Sequence, residues 1–240
     1  VSGIGDMNGR VVLVSGASGG IGSAIVEQLR AAGAKVAGFD TAPPPEPDPD
    51  FVQGDVGELE DVRRAVQETA ERHGRLDAVV HSAGITRDGV LWKLDEADWD
   101  LVQRVNLRGA FLLLRESVPV MRGGGNGGSV VLIGSINGSR GKFGQTAYAA
   151  SKAGLIGLAK SAARETGRFG IRVNVVEPGM VRTAMTETLP EEIRQAALAE
   201  GALGSLVEPV DIARAVLYLC GDGGARVTGQ VLRVDSGQYM

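Results

Sequence analysis

Residues 10–40 read RVVLVSGASGGIGSAIVEQLRAAGAKVAGFD, and this stretch decides the fold. RVVLVSG is a short, continuously apolar run that reads as a buried strand. GGIGSAIVEQLRAAG carries apolar residues at helical spacing and closes on Gly33, and AKVAGFD reads as a second strand. The unit is β-α-β, and strands apolar along their whole length belong to a parallel sheet covered on both faces. Working outward, FVQGDV, LDAVVHSAG, SVVLIGS, IRVNVVEPG and GQVLRVDSG read as further strands. Helices are expected in LEDVRRAVQETAERHG, WDLVQRVNLRGAFLLLRESVPVMRG, AYAASKAGLIGLAKSAARETG, TETLPEEIRQAALAEGALG and PVDIARAVLYLC. Pro119 is expected to bend or end the long third stretch, because proline removes a backbone donor and crowds the preceding turn. The expected architecture is α/β: one domain over residues 1–240, a doubly wound, Rossmann-like parallel sheet of about seven strands with helices on both faces.

The run TAPPPEPDPD at 41–50 has the composition of a linker. A boundary there would leave a first piece of about 40 residues, too short for its own core. It reads instead as a surface connection between two strands. Hydrophobic residues make up 43% of the 240 and charged residues 22%, as in a packed globule, and the 36 glycines call for many tight turns or close approaches. Lys and Arg number 25 against 29 Asp and Glu, a net charge of −4 without a basic block, so neither nucleic acid nor a membrane surface is expected as a partner. Cys220 stands alone in AVLYLC and reads as a small core residue. No metal site is expected: His81 reads as a core or edge residue of a strand, and His73 as solvent-facing. VSGIGDMNGR lacks the basic and apolar regions of a secretory signal, which leads to the expectation of a cytoplasmic protein.

The turn SGASGGIG sets Gly16, Gly20 and Gly22 between the first strand and the first helix. Glycines there admit a phosphate close to the backbone, and the helix N-terminus offers it unpaired N–H groups. Asp40 ends the second strand, where a carboxylate accepts hydrogen bonds from both hydroxyls of an adenosine ribose and repels a 2′-phosphate. No Lys or Arg follows in the proline run to offset that charge. The expected cofactor is therefore NAD(H) rather than NADP(H); the competing reading of Asp40 is a strand-ending turn former. Asp55 has two readings, a bond to the adenine amino group or a helix cap. Ser82, Ala83 and Gly84 end the next central strand with small side chains that leave room for adenosine.

Tyr148 and Lys152 stand four residues apart at the start of a helix, on one face. A fixed ammonium one turn away is expected to lower the tyrosine pKa and make it an acid/base near neutrality. Ser135, at the end of SVVLIGS, is expected at the same sheet edge, holding the substrate oxygen. Asn106 is a buried polar candidate within an apolar helix, satisfied by water joined to Lys152 or explained as a kink or cap.

Taken together, SGASGGIG, HSAGITRDG, VNLRG, YAASKAGLIGLAKSAARE, IRVNVVEPG and the terminal VDSG resemble the short-chain dehydrogenase/reductase family over essentially the whole chain, and among its members the bacterial 3-oxoacyl-(acyl carrier protein) reductases. The resemblance implies that Ser135, Tyr148 and Lys152 carry the chemistry while Asn106 holds a proton relay. It extends the cofactor set to Ser18, Ile21, Val56, Pro178, Gly179, Val181 and Thr183, the last bonding the carboxamide. It also implies a substrate-covering segment around 183–205, with Met180, Met185, Leu189, Leu198 and Leu203 as its apolar surface, and a homotetramer. The chain departs from the family's NADP-dependent reductases at Gly19, where those carry arginine, and at Asp40; both point to NAD. The region before the serine strand, GGGNGGSV, lacks the basic residues that dock a carrier protein, and Arg168 is displaced by one position, so carrier docking is not expected. The implied reaction is reversible hydride transfer between NAD(H) and a secondary alcohol or ketone, with a 3-oxoacyl or 3-hydroxyacyl thioester as leading substrate. Hydroxysteroids and cyclic or small secondary alcohols come next, and a nicotinamide-binding protein without turnover last.

Overall fold

Within β1 (Val11–Ser15) alternate residues part to opposite sides. Val11 and Leu13 join one buried cluster, Val12 and Val14 the other. The period of two along a strand thus makes a two-faced core from one apolar run. In the computed structural model, which describes residues 5–44 and 46–240 and Met185 by its backbone alone, β1 is an interior strand of a sheet. Residues 1–4, Pro45 and the Met185 side chain, which the sequence assigned to the leading segment, the proline loop and the apolar surface, lie outside the described residues.

The other strands are β2 (Lys35–Asp40), β3 (Val52–Gln53), β4 (Ala78–His81), β5 (Gly128–Ile133), β6 (Ile171–Pro178) and β7 (Val231–Val234). Among the described residues they form one seven-stranded sheet in the order β3-β2-β1-β4-β5-β6-β7, and every neighbouring pair is parallel. The order reverses between β1 and β4. In open α/β sheets ligands bind at such a reversal, beyond the carboxyl ends of the strands.

Helices α1 (Gly20–Ala31), α2 (Leu59–His73), α3 (Glu96–Gln103), α4 (Gly109–Gly124), α5 (Ile136–Arg140), α6 (Thr146–Thr166), α7 (Ala184–Glu187), α8 (Glu191–Glu200) and α9 (Pro209–Cys220) surround the sheet. On one face α1 and α9 bury Ile25, Leu29, Ile212 and Val216 against Val12 and Val14. On the other α2, α4 and α6 bury Val62, Leu113 and Leu155 against Leu13. Cys220 lies in the core as expected, and the carbonyls that end α9 are capped by arginines: Arg172 Nη2 donates to Leu219 O at 2.6 Å and Arg10 Nη1 to Cys220 O at 3.2 Å.

Of the two outcomes expected at Pro119, ending the helix does not occur: α4 runs through it to Gly124 and closes on Gly125 in the left-handed region. A proline inside a helix costs roughly 3 kcal/mol. Around it Leu112, Leu113, Leu114 and Met121 are buried, each returning about 2 kcal/mol. The irregularity falls earlier, in a π-helical turn at Arg104–Arg108 that joins α3 to α4 and holds Asn106.

The proline run is a connection inside the sheet, tied to the helices beside it. Arg30 Nη2 of α1 meets Asp48 at 2.5 Å, and Arg72 and His73 of α2 meet Asp50 at 3.3 and 3.1 Å. His73 was expected to face solvent; its side chain is only 10% exposed because it packs onto this loop.

The glycine turn states its own requirement. Gly16 has φ +70°, and a Cβ there would stand 2.6 Å from Ala83 Cα; a Cβ on Gly22 would run into the Gly16 carbonyl oxygen. At Gly19 the nearest atom would be 3.4 Å away. Gly22→Ala is therefore expected to lose at least about 2 kcal/mol of stability, while Gly19→Ala stays within about 0.5 kcal/mol. Denaturant unfolding of both variants checks this, and equal losses would contradict it.

Candidate active site

Gly19, the N-cap of α1, provides no side-chain cap, so the first turn of a twelve-residue helix faces the carboxyl edge of the sheet with its N–H groups unclaimed by a side chain. That edge opens into a cavity of about 920 Å³. Its wall begins at Gly16, Gly20, Ile21 and Gly22, passes Ser82 and Gly84, and continues to Ser135, Tyr148 and Lys152. Pro178, Gly179, Val181 and Thr183 close the far side. A helix terminus open to an anion, glycines that let a ligand approach, and a chamber of this size fit a dinucleotide.

The remaining candidates lie around that wall. Asp40 Oδ2 accepts from Ser18 N at 3.1 Å and Oδ1 from Ala42 N at 3.2 Å, so the carboxylate sits beside the glycine turn. Asp55 has protein donors of its own: Oδ1 accepts from Gly57 N at 2.8 Å, and Oδ2 meets Arg104 Nη2 at 3.0 Å, leaving further lone pairs on both oxygens. It caps a turn ahead of α2, whose own N-cap is Glu58. Val56 is buried against Gly109, and Ala83 supports Gly16 from below. Asp48 and Asp50 of the proline run are paired with Arg30 and Arg72.

Ser135 lies two residues beyond β5 as the N-cap of α5, its Oγ accepting from Asn137 N at 3.2 Å. The five residues of α5, INGSR, have no apolar periodicity and were not anticipated as a helix. Tyr148 occupies the first turn of α6, with Lys152 one turn further on. The Tyr148 phenol is hydrogen-bonded to Ser135, which favours its ionised form, but burial prevails, Asp88 adds to it, and the pKa is raised. The expected depression by Lys152 does not occur. Lys152 Nζ donates to Ile133 O at 2.8 Å and stands 5.6 Å from the Tyr148 ring centroid. The lysine is 3% exposed, and burial brings its own pKa down to about 8.

Asn106 has protein partners at both ends of its amide. Its Oδ1 accepts from Ile85 N at 2.8 Å, and its Nδ2 donates to Ile85 O and Ser151 Oγ at 3.0 Å each. The π-helical turn, of a kind that recurs at functional sites, presents the amide to these partners. The Asn106 carbonyl receives His81 Nε2 at 3.1 Å, so Nε2 carries the proton and Nδ1 accepts from Ser15 Oγ at 3.0 Å. His81 is a fully buried core residue as expected, and burial, followed by the charge of Lys152, lowers its pKa to about 3.

The sequence did not announce one wall of the chamber. Gln145 Nε2 donates to Asp88 Oδ2 at 3.0 Å, Asn137 Nδ2 to Gln145 Oε1 at 3.0 Å, Arg140 Nε to Asn137 Oδ1 at 3.0 Å, and Arg140 Nη1 to Glu200 Oε2 at 2.9 Å. This chain of polar groups crosses from the loop after β4 to α8. Met180, Leu189, Ile193 and Ala196 add apolar surface to the lining of the same chamber. Leu198 and Leu203, expected in that apolar surface, do not line the cavity, and Leu203 is exposed.

A family model described as enoyl-(acyl carrier protein) reductase matches residues 16–238. Among curated relatives, the 3-oxoacyl-[acyl-carrier-protein] reductase FabG of Thermotoga maritima is 39% identical over 96% of this chain and 98% of its own length. The (3R)-3-hydroxyacyl-CoA dehydrogenase of Mus musculus is 39% identical, with 96% of each chain covered. The acetoacetyl-CoA reductase of Synechocystis is 40% identical, again with 96% of each covered. Fold, glycine turn and relatives agree: the chain belongs to the short-chain dehydrogenase/reductase family. It is an oxidoreductase of the branch whose relatives are named for 3-oxoacyl and 3-hydroxyacyl substrates.

His81 makes a pH-dependent contribution to stability. Its folded pKa of about 3 lies below the ordinary 6.5, so the unfolded chain binds the extra proton first as pH falls. Stability is expected to drop between pH 6.5 and 3, by up to about 1.4 kcal/mol per pH unit from this group. Denaturant titrations should show a shallower acid slope for His81→Asn than for the unaltered protein, and identical slopes would refute the contribution.

Proposed function

We propose that the protein is an NAD(H)-dependent dehydrogenase/reductase that interconverts a 3-oxoacyl and a 3-hydroxyacyl thioester. The observation that carries this reading is the meeting of Ser135, Tyr148 and Lys152 on the wall of the chamber that begins at the open N-terminus of α1. A nicotinamide cofactor supplies the hydride for reduction and takes it up in oxidation. Gly16, Gly20, Ile21 and the α1 terminus hold its phosphates; Ser18, Asp40, Asp55, Val56, Ser82, Ala83 and Gly84 its adenosine half; Lys152, Pro178, Gly179, Val181 and Thr183 its nicotinamide half. Asp40 stands beside the turn as a negative charge, which disfavours a 2′-phosphate.

In reduction, the substrate carbonyl oxygen sits between Ser135, which donates a hydrogen bond, and Tyr148, which delivers the proton. The raised pKa of Tyr148 keeps the phenol protonated for that role at neutral pH. In oxidation the same groups work in reverse, and the tyrosine takes the hydroxyl proton. Lys152, with a pKa of about 8, both holds a positive charge beside the tyrosine and exchanges a proton near neutrality. Asn106 serves as a positioning residue, joining the π turn to Ile85 and to Ser151 next to Lys152.

The polar wall from Asp88 to Glu200 suits the oxygen-rich end of an acyl thioester, and Met180, Leu189 and Ile193 suit its chain. The segment 183–205, with α7 and α8, acts as the cover of this chamber. The reading includes a homotetramer. Phe111 on α4, 47% exposed, and Leu232 on the edge strand β7 present apolar surface on two separate faces, as an assembly with two kinds of interface requires. It also includes a cytoplasmic location, and no helix among the described residues is long and apolar enough to cross a membrane.

Tyr148→Phe is expected to lose at least about 100-fold in kcat while its NADH affinity is retained; near-normal turnover would overturn the assignment. Steady-state kinetics with NADH and NADPH in parallel test the rest. The panel should span 3-oxoacyl and enoyl thioesters of coenzyme A and of carrier protein, hydroxysteroids, and small or cyclic alcohols. NADH is expected to be preferred, with Asp40→Ala narrowing the gap, and a strong NADPH preference would refute the cofactor reading.

A further inference from the structure

Glu177 of β6 is a carboxylate with no exposure, directly behind the active site, and the hydride chemistry makes no use of it. Burying an ion is costly unless its oxygens are paired and hydrogen-bonded. Both oxygens are engaged, each to a different element. Oε1 accepts from Ser139 Oγ of α5 at 2.7 Å, and Oε2 meets Arg233 Nε of β7 at 3.2 Å. Arg233 is also the cross-strand neighbour of Glu177 in the parallel register, and its guanidinium lies 4.4 Å from the Tyr239 ring centroid.

The attachment to α5 matters because that helix is only five residues long and begins at Ser135. So short a helix does not hold itself in place. On its other side Gly138 lies against α6, where a Cβ would come 2.8 Å from Lys152 C and from Ala153 N. Beneath the turn, Gly134 N donates to Val176 O at 2.7 Å, and a Cβ on Gly134 would meet Glu177 Cγ at 3.3 Å. The helix that starts at Ser135 is thus held between a buried carboxylate and the backbone of the helix that carries Tyr148 and Lys152.

We infer that Glu177, acting through Ser139, is a positioning residue that sets the distance between Ser135 and Tyr148. This rests on the reading of Ser135 as the group that holds the substrate oxygen. A displacement of a fraction of an ångström at that hydroxyl is felt in turnover far more than in cofactor binding, because reaction geometry is steep in distance. Replacing Ser139 by Ala breaks the tie without removing the carboxylate, its arginine or any group on the chamber wall.

Ser139→Ala, Ser139→Thr and Glu177→Gln are compared with the unaltered enzyme in kcat and KM for the best substrate, in NADH affinity, and in hydrogen exchange of residues 135–140. Ser139→Ala is expected to lower kcat about ten-fold with NADH affinity unchanged, and to speed exchange in α5 relative to α6. Ser139→Thr, which keeps a hydroxyl, restores turnover. Glu177→Gln, which keeps an acceptor for Ser139 but cannot form an ion pair with Arg233, unfolds more readily yet keeps more turnover than Ser139→Ala. Unchanged kcat in Ser139→Ala, an equal loss in NADH affinity, or no recovery in Ser139→Thr would each overturn the inference. If the unaltered protein turns over no substrate, the functional reading itself fails. Hydrogen exchange then decides alone: a loosened α5 upholds the tie, and an unchanged one overturns it.

Discussion

The contact on which the active site depends is the one between Gly16 and the backbone of Ala83. Strand order reverses between β1 and β4, so the turns that leave these two strands must pass each other at the carboxyl edge. They do so at a distance that no side chain on Gly16 permits, with Gly16 in the left-handed region. Gly22 meets the Gly16 carbonyl equally closely, and together these contacts aim the open end of α1 across the gap. Moving either turn outward would tilt α1 away from β4, and the chamber would lose the wall that links the open end of α1 to Tyr148.

A second constraint is dryness. At the back of the chamber His81, Asn106 and Lys152 are all buried; His81 bonds to the Asn106 carbonyl, and Lys152 on the wall donates to the Ile133 carbonyl. Because His81 is neutral, it can donate to the Asn106 carbonyl and accept from Ser15 without adding a second cation near Lys152. Lys152 remains the one cation of this buried group, its pKa brought down by burial alone. Tyr148, half-buried on the chamber wall, also has its pKa raised by burial, so with protein groups only the pair rests as phenol and ammonium.

Much was legible in the sequence because it is carried by near neighbours. The seven strands, the glycine turn, Asp40 at a strand end and the Tyr148–Lys152 spacing all follow from local periodicity and turn chemistry. Readings that depended on distant partners fared worse. Pro119 looked able to end its helix because the cost of a proline is local, whereas the core burial that outweighs it is not. His73 looked exposed because Asp50, which lies beside it in the fold, stands 23 positions earlier in a loop. The chain of polar groups from Asp88 through Gln145, Asn137 and Arg140 to Glu200 has no period and no motif, and it exists only once four separate segments converge.

Sequence alone therefore determined the class of fold and the residue types that meet at the carboxyl edge of the sheet, since hydrophobic period and glycine placement are properties of short stretches. Tertiary structure alone decided the charge states and the distances: which way the Tyr148 pKa moves, what satisfies Asn106, and what holds Ser135 in place. Those depend on burial and on partners dozens of residues away, and neither quantity is defined until the sheet has brought its carboxyl ends together.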